Sequence, residues 1–530
     1  MPPTESRPTD RPNIVLILVD DMGYSDIGCY GSEISTPHLD SLATGGIRFT
    51  QMYNCARCCP TRASILTGLY PHQAGVGDMV SDLGHPAYQG YLNDSCVTLA
   101  ELLRHQGYRT LMTGKWHAGG FWPRREGPEW RIGDPTKPLP CDRGFDDWIG
   151  IPGGGSYFYP SPLLHNHRFV EPEDDFYTTD SYTNYAIDMV DQAVADGKPF
   201  FLHVCYNAPH WPLHAHEQDI AAFVGTYRNG WDHTRTSRHE ELKGLGILDA
   251  KWDISPRDPN APPWSNAPHH DWEDQRMAAY AGMVHCMDRN VGRLMAKLDQ
   301  LGVRENTMVF FLSDNGGCAE FLAENGRKEA ELPFTRDGRD VRVGNIVGLP
   351  PGGADTFQSY GVCWSNVSNS PFRLHKHWVH EGGISTPLIA HWPAGISTPG
   401  IVHSPSHITD ISATILAVAG VNYPSEFEGR AITPLVGESF SQVFQGRSWQ
   451  RSQPIFWEHE NNCAMRDGQW KLVRRKENPA WELYDMSADR TELNDLAESE
   501  PRRVSAMAGE YQTWADHVGV VPIEVLRKRR

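Results

Sequence analysis

The sequence predicts an α/β protein. A large, mostly parallel, doubly wound sheet flanked by helices is followed by a smaller C-terminal α+β unit with an antiparallel sheet. Three observations carry this. Short apolar runs alternate with longer segments of helical periodicity through roughly four-fifths of the chain. Several of these runs are apolar from end to end, the pattern of strands buried on both faces. Near residue 440 the pattern changes to closely spaced short strands around turn residues.

The elements follow in order. Residues 13–19 read as a buried strand, as do 109–112, 200–205, 308–312 and 387–391. The clearest helix lies between the third and fourth of these. Met277, Val284, Met287, Val291, Leu294, Leu298 and Leu301 fall at helical spacing, and Gly302 offers a stop. Residues 98–105 and 407–418 are shorter helical candidates. Beyond 440, residues 454–459, 463–466, 470–474 and 481–485 read as short strands, with Asp467-Gly468 as a turn and a final helix at 502–518. The expected domains are therefore 1–440 and 441–530. Residues 153–155 and 253–270 read as long loops, a common way to shape a substrate entrance. The loop aromatics Tyr157, Phe158, Tyr159, Trp211 and Trp264 serve equally well as an apolar pocket wall or as ordinary loop packing.

Composition narrows the function classes. The chain has 530 residues, 39% hydrophobic and 22% charged, as in a soluble globular enzyme of at least two packed units. Its formal net charge of −18 argues against nucleic acid as a partner. A substrate anion needs a local cluster of positive charge against that global field. The N-terminus is polar, and the first apolar run, 14–19, is far too short to span a bilayer. With no secretory signal visible in MPPTESRPTD, a cytoplasmic location is expected, with its cysteines, 11 in number, mostly reduced. The basic tail 527–530 reads as solvated.

Polar chemistry crowds the strand ends, where open α/β sheets bind ligands. The first strand runs into Asp20-Asp21, the second into Lys115 and His117, the third into Asn207-Ala208-Pro209-His210 and the fourth into Asp314-Asn315. The last strand is preceded by Lys376 and the turn His380–Gly383. A single strand-terminal Asp is usually a cap or turn residue. Together, Asp20, Asp21, Asp314 and Asn315 offer hard oxygen ligands that suit Ca²⁺ or Mg²⁺ more than zinc. Three buried carboxylates need a dication to offset their charge.

The most informative stretch is Cys58-Cys59-Pro60-Thr61-Arg62-Ala63-Ser64-Ile65-Leu66-Thr67-Gly68. Pro60 suits the first turn of a helix and Gly68 its end. Cys58 then sits at a helix N-terminus, where free amides and the macrodipole favour negative charge. Arg62, one turn along, can hold an anion bidentately. Cys55 and Cys58 also have the spacing of a redox pair or zinc half-site. No second such pair occurs, and that reading leaves Arg62 and the carboxylates without a role.

Cys-x-Pro-Thr-Arg followed by Ala-x-x-x-Thr-Gly resembles the signature of the type I sulfatases, in the alkaline phosphatase superfamily. The resemblance covers nearly the whole chain and is closest to bacterial arylsulfatases. It implies the alkaline phosphatase-like fold and hydrolysis of sulfate monoesters. It also implies that Cys58 is converted to formylglycine by a formylglycine-generating enzyme. Asp20, Asp21, Asp314 and Asn315 match the family's metal ligands, usually for calcium, with Mg²⁺ or Mn²⁺ as alternatives. Arg62 matches the arginine that steadies the formylglycine. Gly114-Lys115-Trp116-His117 matches the Gly-Lys-x-His element, His210 a substrate-site histidine and Lys376 the second lysine. The implied mechanism is attack by a hydrated aldehyde on sulfur, with Lys115, Lys376 and Arg62 countering charge. His210 then protonates the leaving oxygen, and His117 accepts the proton that lets sulfate depart. A phosphonate monoester or phosphodiester hydrolase of the same superfamily is the nearest alternative. A non-catalytic protein on this fold would require a broken motif, and no expected position is lost.

Overall fold

The computed structural model describes residues 11–120, 131–326 and 332–528. The polar N-terminal stretch 1–10 and Arg529-Arg530 of the basic tail lie outside the described residues.

In chain order the main strands are β1 (Asn13–Val19), β2 (Ile47–Tyr53), β3 (Arg109–Gly114), β4 (Asp147–Gly150), β5 (Phe200–Cys205), β6 (Thr307–Ser313) and β7 (Ser385–His391). Side by side they run β2-β7-β6-β1-β5-β3-β4, with shorter strands continuing both edges. β6, β1, β5, β3 and β4 are mutually parallel. β7 is antiparallel to both its neighbours, β6 and β2. The doubly wound, mostly parallel sheet expected from the sequence is thus present, with one reversed strand inside it.

β1 shows why its residues make a central strand. Ile14, Leu16 and Leu18 enter one hydrophobic core, and Val15, Ile17 and Val19 enter the other, on the opposite face. All six are fully buried. Each such side chain contributes about 1.5–3 kcal/mol of burial free energy, and β-branched residues suit the pleat.

The helices that cover the sheet include α1 (Cys58–Thr67), α2 (Leu99–His105), α3 (Thr178–Ala195), α4 (His270–Gln300), α5 (Glu381–Ile384) and α6 (Ile408–Ala419). α3 and α4 cover one face, and α1, α2 and α6 the other. α2 begins one residue later than its periodicity suggests because Thr98 is its cap. The Thr98 hydroxyl accepts from the Glu101 N–H at 3.0 Å, and the Thr98 N–H donates to Glu101 Oε2 at 2.6 Å.

β2 was not legible as a strand, although it precedes the nucleophile segment. Its apolar run is broken by Arg48, Thr50 and Gln51. Each finds a partner elsewhere in the fold: Arg48 donates to the Cys29 carbonyl, while Thr50 and Gln51 bond to His403. Fixed partners let a polar strand be buried.

At the C-terminus, β8 (Ile455–His459), β9 (Asn462–Asp467), β10 (Trp470–Arg475) and β11 (Asn478–Asp485) form an antiparallel meander, followed by α7 (Pro501–Val518). One sheet face packs on Met507, Tyr511 and Trp514 of α7. The other carries Ile455, Trp457, Ala464 and Val473 against Tyr53, Val379 and Ile384 of the larger unit. A fully buried charge cluster crosses the same seam. Lys471 Nζ lies 2.9 Å from Glu381 and 2.8 Å from Glu492, and Arg490 approaches Glu381 at 3.5 Å.

Candidate active site

A parallel strand delivers its C-terminal end, and the reversed β7 its N-terminal end, to one edge of the sheet. That geometry gathers the sequence-selected residues. Asp20 and Asp21 follow β1, the Cys58 segment follows β2, and Lys115 and His117 follow β3. His210 follows β5, Asp314 and Asn315 follow β6, and Lys376 precedes β7. The turns are tight. Gly114 takes φ +95°, and a Cβ there would lie 1.9 Å from the Cys205 carbonyl. Asp21 (φ +63°) and His117 (φ +53°) are non-glycine residues in the left-handed region, a cost that functional sites often carry.

The carboxylates and cations interleave. Lys115 Nζ lies 2.5 Å from Asp20 Oδ2, and Lys376 Nζ lies 2.7 Å from Asp21 Oδ2. Arg62 reaches Asp314 Oδ2 through both Nη2 (2.8 Å) and Nε (3.1 Å). Asn315 donates to Asp21 Oδ1 at 2.7 Å. All four oxygen-bearing residues are buried. Burial and the adjacent Asp20 push the Asp314 carboxyl well above the usual range. Against the penalty of its own burial, Lys115, His210 and Arg62 hold Asp20 low.

These residues fit a hard dication. Asp20 Oδ1 and Asn315 Oδ1 are buried without any hydrogen-bond partner, and such orphans are rare unless a ligand meets them. The donor set is all oxygen, and an upward-shifted carboxyl beside another carboxylate marks a site that positive charge stabilises.

Cys58 is the first residue of α1. Its predecessor Arg57 is extended (φ −148°, ψ 151°) and makes no side-chain cap, so the first helical amides have no side-chain acceptor from the cap. The side chain of Cys58 is buried, close to Cys59 and His117. A hydrogen bond with Cys59, and against burial the Lys115 charge and His117, hold the thiol well below its ordinary value. Cys55 turns elsewhere, towards Ser64 and His407.

Arg62 turns towards the carboxylates. Besides its two bonds to Asp314, its Nη1 donates to the Lys115 carbonyl at 3.0 Å. The guanidinium therefore braces the Asp314 carboxylate and the lysine-bearing turn from within.

The two histidines differ. Burial, then the Lys115 charge, pushes His117 down to about 4, so it is neutral at pH 7. His210 Nδ1 lies 2.5 Å from the Trp211 carbonyl, which assigns the proton to Nδ1 and leaves Nε2 facing Lys376 Nζ at 3.3 Å. Tyr157 Oη sits 2.7 Å from the carbonyls of both Asn207 and His210, steadying that loop.

The loop aromatics divide. Tyr157 is core, whereas Phe158 and Tyr159 line a cavity of about 750 Å³ with Phe334, Arg336 and Phe357. Trp211 packs on His210. Trp264 stacks on His270 and packs edge-on to Trp231, an internal cluster of its own. Sequence reasoning missed Arg57 and Glu320, which pair at 3.2 Å on a cavity of about 330 Å³ beside Lys376. The only signal was that Arg57 precedes Cys58.

Among the described residues no helix is long and apolar enough to cross a membrane. The family model for sulfatases matches residues 12–421, and the model of the N-sulphoglucosamine sulphohydrolase C-terminal region matches 372–508. An uncharacterized sulfatase of Schizosaccharomyces pombe is 31% identical over 96% of this chain and 94% of its own. The arylsulfatase of Klebsiella aerogenes is 32% identical over 82% and 92% respectively. Among solved structures, Ps i-CgsB superposes with a TM-score of 0.66 at 26% identity, covering 96% of this chain and 93% of that one. The phosphonate monoester hydrolase of Agrobacterium radiobacter shares the fold, with a TM-score of 0.59 at 18% identity over 96% of each chain. The family match over most of the sequence, on a chain whose Cys58 helix start lies among buried lysines and carboxylates, makes it a member of the type I sulfatase family and a sulfuric ester hydrolase.

Proposed function

We propose that the chain hydrolyses aryl or related organic sulfate monoesters with formylglycine at position 58. The observation that carries this is the placement of Cys58 at the start of α1, with Lys115 and His117 among its immediate electrostatic partners. When formed, formylglycine supplies as its hydrate a nucleophilic oxygen and a second hydroxyl through which sulfate can be released. Asp20, Asp21, Asp314 and Asn315 would hold a dication, usually Ca²⁺ in this family, which supplies Lewis acidity towards nucleophile and sulfuryl oxygens.

The chain's own residues do the rest. Lys115 and Lys376 stay protonated, because Asp20 and Asp21 respectively outweigh the effect of burial. Two fixed cations can then bind the sulfuryl group and counter its developing charge. His210 Nε2, the ring nitrogen without a proton, faces the protonated Lys376 Nζ, and a proton held between the two is suited to protonating the departing alkoxide or phenoxide. His117, neutral and bonded to the Cys58 side chain, is suited to accepting a proton there. Arg62 positions Asp314.

Peptide mass spectrometry over residue 58 tests the modification. A fully unmodified thiol in active enzyme, or unchanged multiple turnover in Cys58→Ala, refutes the proposal. Comparing kcat/KM for an aryl sulfate with the matched phosphodiester separates the sulfatase reading from the phosphonate or phosphodiester one. The sulfate is expected to win.

A further inference from the structure

We infer that His377, His459 and Glu460 form a second metal site, selective for a borderline dication such as Zn²⁺ and distinct from the oxygen-lined catalytic one. One ligand atom from each lies within 4.8 Å of the other two. His377 Nδ1 and Glu460 Oε2 are 3.2 Å apart. Two ligands at about 2.0–2.1 Å from a tetrahedral zinc are separated by about 3.3–3.4 Å, so that edge already has the needed length.

The decisive feature is His459. It ends β8, it is 1% exposed, and neither of its ring nitrogens has a hydrogen-bond partner. A buried imidazole with two unmet nitrogens is costly unless something fills the position they face. Burial keeps it neutral, the form that binds metal. Two imidazoles and one carboxylate are a zinc-type donor set.

The backbone is shaped to present these groups. Glu460 (φ +50°) and Asn461 (φ +67°) make the hairpin turn after β8, and His377 (φ +78°) is itself left-handed. The His377 N–H donates to the Ala56 carbonyl at 2.7 Å, which ties its loop to the segment before Cys58. Lys476 (3.4 Å) and Arg527 (3.8 Å) also approach Glu460. Both are partly exposed, flexible side chains that can withdraw when a dication takes their place. Three protein ligands leave a fourth position, and His377 and Glu460 line the cavity of about 330 Å³ that Lys376 also lines. A metal here would fasten the turn of the C-terminal sheet to the loop carrying Lys376.

Co²⁺ titration of the full-length enzyme, kept in saturating Ca²⁺, tests this. The expected result is about one equivalent bound, with the visible absorption of a tetrahedral nitrogen–oxygen site and no sulfur-to-cobalt charge-transfer band. That spectrum should be lost in His459→Ala, His377→Ala and Glu460→Gln. Should His459→Ala fail to fold, the two more exposed positions decide the matter. No bound cobalt, a spectrum unchanged in His377→Ala and Glu460→Gln, or a thiolate band pointing to Cys58, Cys59 and His117, would each overturn the inference.

Discussion

Replacing Arg62 by Met should destabilise the protein far more without divalent cations than with them. Arg62 is 1% exposed and contacts Asp314 Oδ2 at 2.8 and 3.1 Å, with Asp20 at 3.7 Å. Methionine fills similar space but supplies no charge. Breaking a fully buried pair from one side costs about 3–5 kcal/mol, because the remaining charge is left uncompensated. Asp314 is already pushed upward by burial and Asp20, so in the variant it must take up a proton or unfold its surroundings. If Asp314 binds the catalytic dication, that ion replaces much of the lost compensation. The variant's deficit then shrinks on adding Ca²⁺, and each 1.4 kcal/mol of shrinkage equals a tenfold gain in relative Ca²⁺ affinity. The assay is the thermal midpoint of wild type and Arg62→Met in EDTA and in saturating Ca²⁺, with calorimetric titration of Ca²⁺ into both. A deficit of several degrees in EDTA that narrows with Ca²⁺ is expected. The same deficit in both buffers would refute the assignment of Asp314 as a metal ligand.

Other outcomes are equally direct. Lys115→Ala and Lys376→Ala should each lower kcat for an aryl sulfate by about 10²–10³, the usual loss for one preorganised electrostatic contact, and steady-state kinetics that show only a raised KM would contradict this. Stability should fall steeply below pH 6.5. Buried His117, His203, His214, His375 and His459 are all pushed down to about 4 from 6.5. Above pH 6.5 they are neutral in both states and add no pH dependence, while between 6.5 and 4 only the unfolded chain gains their protons. Each contributes up to about 1.4 kcal/mol per pH unit. Thermal midpoints from pH 7.5 to 5 should fall less steeply in His203→Gln, and an identical slope would count against the account. Lys471→Met should cost about 3–5 kcal/mol by stranding Glu381 and Glu492, seen as a large drop in thermal midpoint with little change in the alkyl packing around it.

The strand ends were legible because apolar runs such as Ile14–Val19 are governed by local periodicity, and the polar residues just beyond them stand out. Asp20, Lys115, His210 and Asp314 needed only the rule that parallel strands end on one edge. Lys376 was harder, since only the reversal of β7 brings its N-terminal side to that edge. β2 escaped because its buried polar residues are satisfied by His403 and the Cys29 carbonyl, partners distant in sequence or in the fold. For the same reason the pairing of Arg62 on α1 with Asp314, just beyond β6, is not visible in the sequence. Trp264 illustrates the converse: a loop aromatic that the sequence leaves open as pocket wall, whose packing is with Trp231 and His270.

The ion cluster of Glu381, Lys471, Glu492 and Arg490 joins the unit proposed for residues 441–530 to the helical turn just behind Lys376. Each member counters another, so neither side of the seam can be exposed to water without leaving opposite charges in an interior built to hold them together. A chain cut at the seam would keep Glu381 but lose Lys471 and Arg490. The C-terminal portion is thereby an inseparable part of what holds the lysine-bearing loop in register, and graftable exchange between relatives is expected only when both sides of the cluster travel together.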